Sequence, residues 1–297
     1  MTKKHIGSCF QSQKTSDCHS MDGPRKWVKN LNFLCSKREP PGEFYLVGIP
    51  FDYTSTYRPG ARFAPYEIRK ASHSIESFSF YSKKDLCEVD LVDLGDLEVP
   101  SSPELLEEFI ALDEIADSKF AVLGGDHSVT LPILRKIRDR IESYVQLDAH
   151  LDMREEYLGE KFGHASVARR AVEILGEDRV LLMGVRSASK EEYRFCLERG
   201  IEYYPPEDWD NGIESISSLR GEVYLSIDLD VLDPSYAPGV GNPEPMGVSP
   251  SQVIEVIRTL GKKIKAFDVV ELNPLFDSGI TSVLAAHLVR ETILLSL

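Results

Sequence analysis

Tyr144-Val145-Gln146-Leu147-Asp148-Ala149-His150-Leu151-Asp152 joins a short apolar run to a burst of ionisable side chains. The run from Tyr144 to Leu147 reads as a buried strand, and the charged residues stand at its exit. Two other stretches repeat the plan. Phe120 to Leu123 leads into Gly124-Gly125-Asp126-His127-Ser128, and Val223 to Ile227 leads into Asp228-Leu229-Asp230. Together they bring His127, Asp148, His150, Asp152, Asp228 and Asp230 to the ends of three strands. One divalent cation does not need so many ligands, whereas two ions sharing carboxylates do. A carboxylate-rich pair with only two imidazoles favours manganese over zinc. Two such ions about 4 Å apart can activate a water as a nucleophile at neutral pH, so the chain reads as a hydrolase.

The same rhythm extends outward on both sides. Further apolar runs occur at Phe44 to Ile49, Glu88 to Val92, Val180 to Val185 and Ile264 to Val270. Helical patterns lie between most of them, at Pro103 to Asp117, Leu131 to Ile141, Ser166 to Leu175, Lys190 to Arg199 and Ser249 to Thr259. Alternating β and α with near-continuous apolar strands implies a parallel sheet covered on both faces. Ligands of such sheets bind outside the carboxyl ends of the strands, which is where the charged motifs fall.

Composition narrows the class. A chain of 297 residues with 42% hydrophobic residues can bury a substantial core. No apolar run approaches the roughly 20 residues of a membrane-spanning helix. The polar start after Met1 shows no signal peptide, which points to the cytoplasm. A net charge of −14 argues against a nucleic-acid partner. Cys9, Cys18, Cys35, Cys87 and Cys196 are odd in number and scattered, which suits reduced thiols better than a disulfide framework. Residues 1–40 read as an N-terminal extension, flexible or packed. Its His5, Cys9, Cys18, His19 and Cys35 match no standard zinc spacing.

Each motif has a chemical rationale. Gly124-Gly125 permits a sharp turn and brings backbone close to the site. Asp126 is expected to fix a histidine or the loop, and His127 to bind metal. In an extended segment, residues i, i+2 and i+4 share a side, so Asp148, His150 and Asp152 can converge on a cation. Asp228 and Asp230 repeat that logic. Any one acidic residue after a strand is more often a helix cap. Burying all of them without cations costs several kcal/mol each, on the order expected for desolvated and mutually repelling carboxylates.

In this order the motifs resemble those of the ureohydrolase family, the arginases, agmatinases and relatives. The likeness includes Gly48-Ile49-Pro50-Phe51-Asp52, Arg58-Pro59-Gly60-Ala61-Arg62, Phe162-Gly163-His164-Ala165, Ile227 through Pro234, and Asp268-Val269-Val270-Glu271-Leu272-Asn273-Pro274. It implies a three-layer α/β/α sandwich with a central parallel sheet, formed by residues 41–297 as a single catalytic domain. It also implies two manganese ions per subunit. His127, Asp148, Asp152 and Asp228 would hold one, and His150, Asp148, Asp228 and Asp230 the other. A bridged hydroxide would attack a guanidinium carbon and release urea and an amine. Glu271 resembles the family carboxylate that grips the guanidinium, His164 the histidine that shuttles protons, and Asp152 is placed to protonate the leaving amine. The resemblance further implies a homotrimer or homohexamer.

The segment from Met153 to His164 is unlike the arginase specificity loop and closer to agmatinase-type sequences. Agmatine, cleaved to putrescine and urea, is the first-choice substrate, with Glu155 and Glu156 meeting its far amine. Arg58 and Arg62 point the other way, since a cation at the entrance suits a carboxylate. Aminopropylagmatine, guanidinobutyrate and arginine therefore stay open. A single-ion zinc deacetylase would leave the Asp-x-Asp pair and His127 redundant. A catalytically inactive binding homologue would be expected to lose ligands, and all six are present.

Overall fold

Neighbouring side chains along each central strand enter different apolar cores. Phe44 and Leu46 join Ile216, Val253 and Val289 on one side, whereas Tyr45 and Val47 join Leu106, Ile133 and Ala168 on the other. Val223, Leu225 and Ile227 likewise part from Tyr224. That period of two is what a strand covered on both faces must show.

This computed structural model describes residues 27–28, 31–110 and 112–297. Among them lie the strands β1 (Trp27–Val28), β2 (Phe44–Gly48), β3 (Leu91–Leu97), β4 (Lys119–Leu123), β5 (Ser143–Leu147), β6 (Val180–Met183), β7 (Glu202–Tyr204), β8 (Val223–Asp228) and β9 (Ile264–Val270). They form one sheet in the order β1-β3-β2-β4-β9-β8-β5-β6-β7. β2 to β9 run parallel, and β1 adds an antiparallel edge to β3. Helices α1 (Ala64–Ser72), α6 (Trp209–Ser218), α7 (Pro250–Leu260) and α8 (Ile280–Ser296) cover one face. Helices α2 (Pro103–Phe109), α3 (Thr130–Ile137), α4 (Val167–Leu175) and α5 (Lys190–Arg199) cover the other. The expected three-layer sandwich is the observed one. No helix among the described residues is long and apolar enough to cross a membrane.

Several local expectations need correction. The strand expected at Glu88 to Val92 runs instead from Leu91 to Leu97. Asp93 and Asp96 look like a strand's end in sequence, but the buried Arg69 neutralises both. The helix expected to reach Asp117 stops at Phe109, because Leu112, Ile115 and Ala116 turn inward in a separate turn closed on Leu112 O. α8 escaped the pattern because it is buried almost all round and so lacks an amphipathic stripe.

The packed chain also begins before residue 41. Phe33 is buried and its N–H donates to Asp93 Oδ2 at 2.8 Å. Cys35 and Cys87 form a disulfide, contrary to the expectation of reduced thiols, while Cys196 is free and buried. Folding brings their Cα atoms to 4.9 Å across 52 residues of sequence, a proximity no spacing rule could reveal. His5, Cys9, Cys18 and His19 lie outside the described residues.

Candidate active site

Strand order explains why motifs distant in sequence meet. β4, β9, β8 and β5 are consecutive neighbours at the centre of the sheet. Their carboxyl ends carry Gly124 to His127, Glu271, Asp228 to Asp230, and Asp148 to Asp152. Gly125 is required for space: a Cβ there would sit 1.7 Å from Phe51 O. The close approach lets Asp126 N–H donate to that same carbonyl at 2.7 Å.

His127 is buried, and its Nδ1 lies 3.1 Å from Asp148 Oδ2, 3.1 Å from Asp152 Oδ2 and 3.3 Å from Asp228 Oδ2. Its other nitrogen reveals which electrons face them. Asp268 accepts the hydroxyl protons of Ser226 (2.6 Å), Tyr224 (2.5 Å) and Thr130 (2.7 Å). With its proton committed, Ser226 Oγ can only accept from His127 Nε2–H, at 3.0 Å. With Nε2–H committed to Ser226, a neutral His127 would turn its Nδ1 lone pair toward three carboxylate oxygens, and among the described residues Nδ1 has no hydrogen-bond partner. Among the described residues no Lys or Arg pairs with Asp148, Asp152, Asp228 or Asp230. Such a convergence of electron pairs needs either protons or a cation.

Protons fill the gap imperfectly. Burial alone would keep His127 neutral, but the adjacent carboxylates of Asp148, Asp152 and Asp228 raise its imidazole well above the usual range. Burial and the Asp148 charge push Asp152 up to about 7, and burial with Asp230 and Asp148 raises Asp228. The donor set fits a divalent metal, and the outer partners on His127 have the arrangement that fixes a metal-binding tautomer.

A second group overlaps the first. His150 Nδ1 lies 3.0 Å from Asp230 Oδ2 and 3.4 Å from Asp148 Oδ1. Asp148, His150 and Asp230 thus converge as His127, Asp148 and Asp152 do, with Asp148 common to both. Backbone donors orient the carboxylates: His150 N–H reaches Asp148 Oδ1 (2.6 Å), Ala149 N–H reaches Asp230 Oδ1 (3.1 Å), and Asp230 N–H reaches Asp228 Oδ1 (2.8 Å). Gln146 Nε2 adds a bond of 2.7 Å to Asp148 Oδ2.

Glu271 is turned back into the site by a left-handed backbone (φ 63°), as is Asp152 (φ 49°). Non-glycine residues held this way cost about 1–2 kcal/mol and concentrate where geometry serves function. Glu271 Oε1 accepts from His127 N–H at 2.8 Å, and its own N–H donates to Gly125 O at 2.9 Å. Burial and the Asp126 charge raise its carboxyl well above the ordinary value.

His164 is oriented through Asp126, the fixing role expected for that residue. Asp126 accepts Thr54 Oγ–H at 2.8 Å, along with Thr54 N–H and the Ser128 hydroxyl. Thr54 Oγ must then accept from His164 Nδ1–H, 3.3 Å away, leaving the Nε2 lone pair near Thr56 Oγ1 at 3.5 Å. Burial outweighs the pull of Asp126 and lowers the His164 pKa, so the ring is neutral near pH 7.

These groups open into a cavity of about 500 Å³, lined also by Arg58, Arg154, Tyr157, Ser187, Glu192 and Glu244. The guanidinium of Arg58 stacks between Tyr57 and Phe276, with ring centroids at 4.9 and 4.7 Å. Arg62 is not in this lining; it pairs with Asp52 at 2.6 Å. Glu155 and Glu156 do not reach the cavity either. They line a separate pocket, where Glu155 pairs with Arg169 at 2.6 Å. Sequence reading passed over Thr54, Ser226 and Glu244. Ser226 stands beside the Asp-x-Asp motif but carries no signal of its own, and Glu244 comes from a loop remote from every motif.

Comparison with known proteins supports the geometry. The family model "Arginase family" matches residues 43–295. An agmatinase of Pyrococcus horikoshii is 38% identical over 258 residues, covering 83% of this chain and 89% of that protein. An N(1)-aminopropylagmatine ureohydrolase of Thermococcus kodakarensis is 37% identical, covering 77% of this chain and 82% of its own length. The crystal structure of the agmatine ureohydrolase of Thermoplasma volcanium superposes with a TM-score of 0.84 at 34% identity, over 91% of this chain and 95% of that one. The chain belongs to the arginase family.

Proposed function

We propose that this protein hydrolyses agmatine to putrescine and urea with two manganese ions per subunit. The observation that carries the reading is the pair of overlapping donor groups sharing Asp148, with His127 Nδ1 facing three carboxylates. His127, Asp148, Asp152 and Asp228 would hold one ion, and His150, Asp148, Asp228 and Asp230 the other. Bound there, the ions supply Lewis acidity and a strong oxygen nucleophile near neutral pH.

The chain's own residues supply the rest. Glu271 Oε1 is occupied by the His127 amide, which leaves Oε2 to accept guanidinium N–H groups in a charge-assisted contact. His164 presents a lone pair at Nε2 and can take up and return a proton. Asp152, which lines the cavity beside His127, would hand a proton to the departing nitrogen. The carbon–nitrogen bond to the tail breaks, water's oxygen stays with urea, and the alkylammonium keeps the positive charge. Agmatine leads because relatives named for it span most of the chain. Arg58 lines the cavity and pairs with no carboxylate among the described residues, and that favours guanidinobutyrate as the second reading. The homotrimer or homohexamer of the family is part of the same proposal, and light scattering tests it.

The test is urea release from manganese-loaded protein offered agmatine, aminopropylagmatine, guanidinobutyrate and arginine in parallel. Preference for agmatine is expected. Preference for guanidinobutyrate that disappears in Arg58→Ala would transfer the assignment. No urea from any of the four would overturn the enzymatic reading in favour of an inactive binding protein.

A further inference from the structure

We infer that Glu244 is a positioning residue that fixes the tautomer and ring orientation of His150 at the metal centre. This rests on the metal-binding part of the proposed function. An imidazole that offers Nδ1 to a cation must place a proton on Nε2, and that proton needs an acceptor. For His127 the strands provide Ser226, backed by Asp268. His150 follows β5 in a loop, and among the described residues no strand side chain meets its Nε2. What faces it is Glu244 Oε1, at 3.5 Å. Among the described residues no other hydrogen-bonding partner meets that nitrogen.

Glu244 is held for the purpose. Ser187 donates its hydroxyl to Glu244 Oε1 at 3.0 Å, and Ser187 pairs with His150 as a parallel bridge. The same serine therefore ties carboxylate and imidazole together. Arg186 secures the loop from below. Its Nη2 takes the backbone carbonyls of Glu244 (2.8 Å) and Asp230 (2.7 Å), and its Nε takes that of Pro245 (3.0 Å). The loop carrying Glu244 is thereby fastened to the turn carrying Asp230, which faces the opposite nitrogen of His150. Carboxylate, imidazole and ligand carboxylate form a row in which each orients the next. Outer partners of this kind are worth about 10–100-fold in metal affinity.

The experiment is equilibrium dialysis of the full chain against buffered manganese, with metal content by mass spectrometry, for wild type, Glu244→Ala and Glu244→Gln. Glu244→Ala is expected to keep one tightly held ion and to bind the second about 10–100-fold more weakly. Glu244→Gln, whose amide oxygen still accepts from Nε2–H, is expected to recover part of that loss. Thermal unfolding of the metal-free variants guards against a general folding defect. Wild-type affinity for both ions in Glu244→Ala would overturn the inference. Equal weakening of both ions with a lowered metal-free melting temperature would do so too. So would full metal content with a KM increase confined to substrates bearing a tail amine, since Glu244 would then be reading substrate. Because the readout is bound metal, a wild type that binds two ions yet releases no urea refutes the proposed hydrolysis and leaves this inference standing.

Discussion

Two buried clusters of charge lie in this sheet, and they solve the same problem in opposite ways. Beside β3, Arg69 is wholly buried between two carboxylates, with Nε and Nη2 on Asp93 at 2.8 and 2.9 Å and Nη1 on Asp96 at 2.5 Å. At the ends of β4, β5 and β8, Asp148, Asp152, Asp228 and Asp230 surround two imidazoles, and among the described residues no lysine or arginine side chain pairs with any of them. The first cluster carries its cation on the chain and is complete on folding. The second is complete only when something positive arrives. A buried carboxylate is thus uninformative until its partner is found, and the absence of a covalent partner is what marks a binding site.

The sharpest way to break this comparison is to remove one member from each cluster. Arg69→Met takes the guanidinium away from Asp93 and Asp96 while both stay buried, and is expected to cost about 3–5 kcal/mol of stability. Asp228→Asn removes one carboxylate from a mutually repelling set. The metal-free variant is expected to melt no lower than wild type. Its manganese affinity should fall by more than the roughly 100-fold that losing an outer partner costs. Thermal unfolding with and without manganese measures both. A metal-free Asp228→Asn that melts as low as Arg69→Met would show that the carboxylates are already compensated, and the contrast would collapse.

The next effect is a reversal of pH dependence. Asp152 (about 7), Asp228, Glu271 and His127 all have folded pKa values above their unfolded ones. Groups raised in this way contribute stability at low pH and lose it as pH rises through the folded value. Asp148 is held low, so its contribution is lost only toward acid, below the usual carboxylate range. Metal-free protein is therefore expected to lose stability between about pH 5 and pH 8. Manganese should reverse the slope, because its binding displaces those protons and strengthens as pH rises. Melting temperatures across that range decide the matter, and a metal-free protein that stabilises with rising pH would contradict it.

How much of this was legible in sequence follows from how local each cause is. The six candidate ligands could be named because Asp148, His150 and Asp152 follow one apolar run and Asp228 and Asp230 another, although the left-handed turn at Asp152, which sends it to His127 while His150 meets Asp230, was not legible. The layer architecture was legible for the same reason. Relations formed across the sheet were not. Asp268, Ser226 and Gln146 are neighbours only because β9, β8 and β5 lie side by side in register. Thr54 reaches His164 across 110 residues, and Cys35 reaches Cys87 across 52. Asp93 and Asp96 hid a strand because Arg69, which neutralises them, lies on a helix more than 20 residues away.

The smallest predicted effect concerns the expectation that geometry displaced. Glu155 is an acidic residue three positions after Asp152, yet it belongs with Arg69's kind of cluster. Its carboxylate is 65% exposed and pairs with Arg169 at 2.6 Å, in a pocket apart from the cavity. An exposed pair of this sort contributes about 0–1 kcal/mol. Glu155→Gln is therefore expected to change KM for agmatine less than about twofold, with manganese content unchanged. Steady-state kinetics on the metal-loaded variant provide the check. A large rise in KM with unaltered kcat would mean that the Met153 to His164 segment closes over bound substrate and carries Glu155 to its far end. The rule drawn from the two clusters would then need a third category, a carboxylate whose partner on the chain is exchanged for one on the substrate.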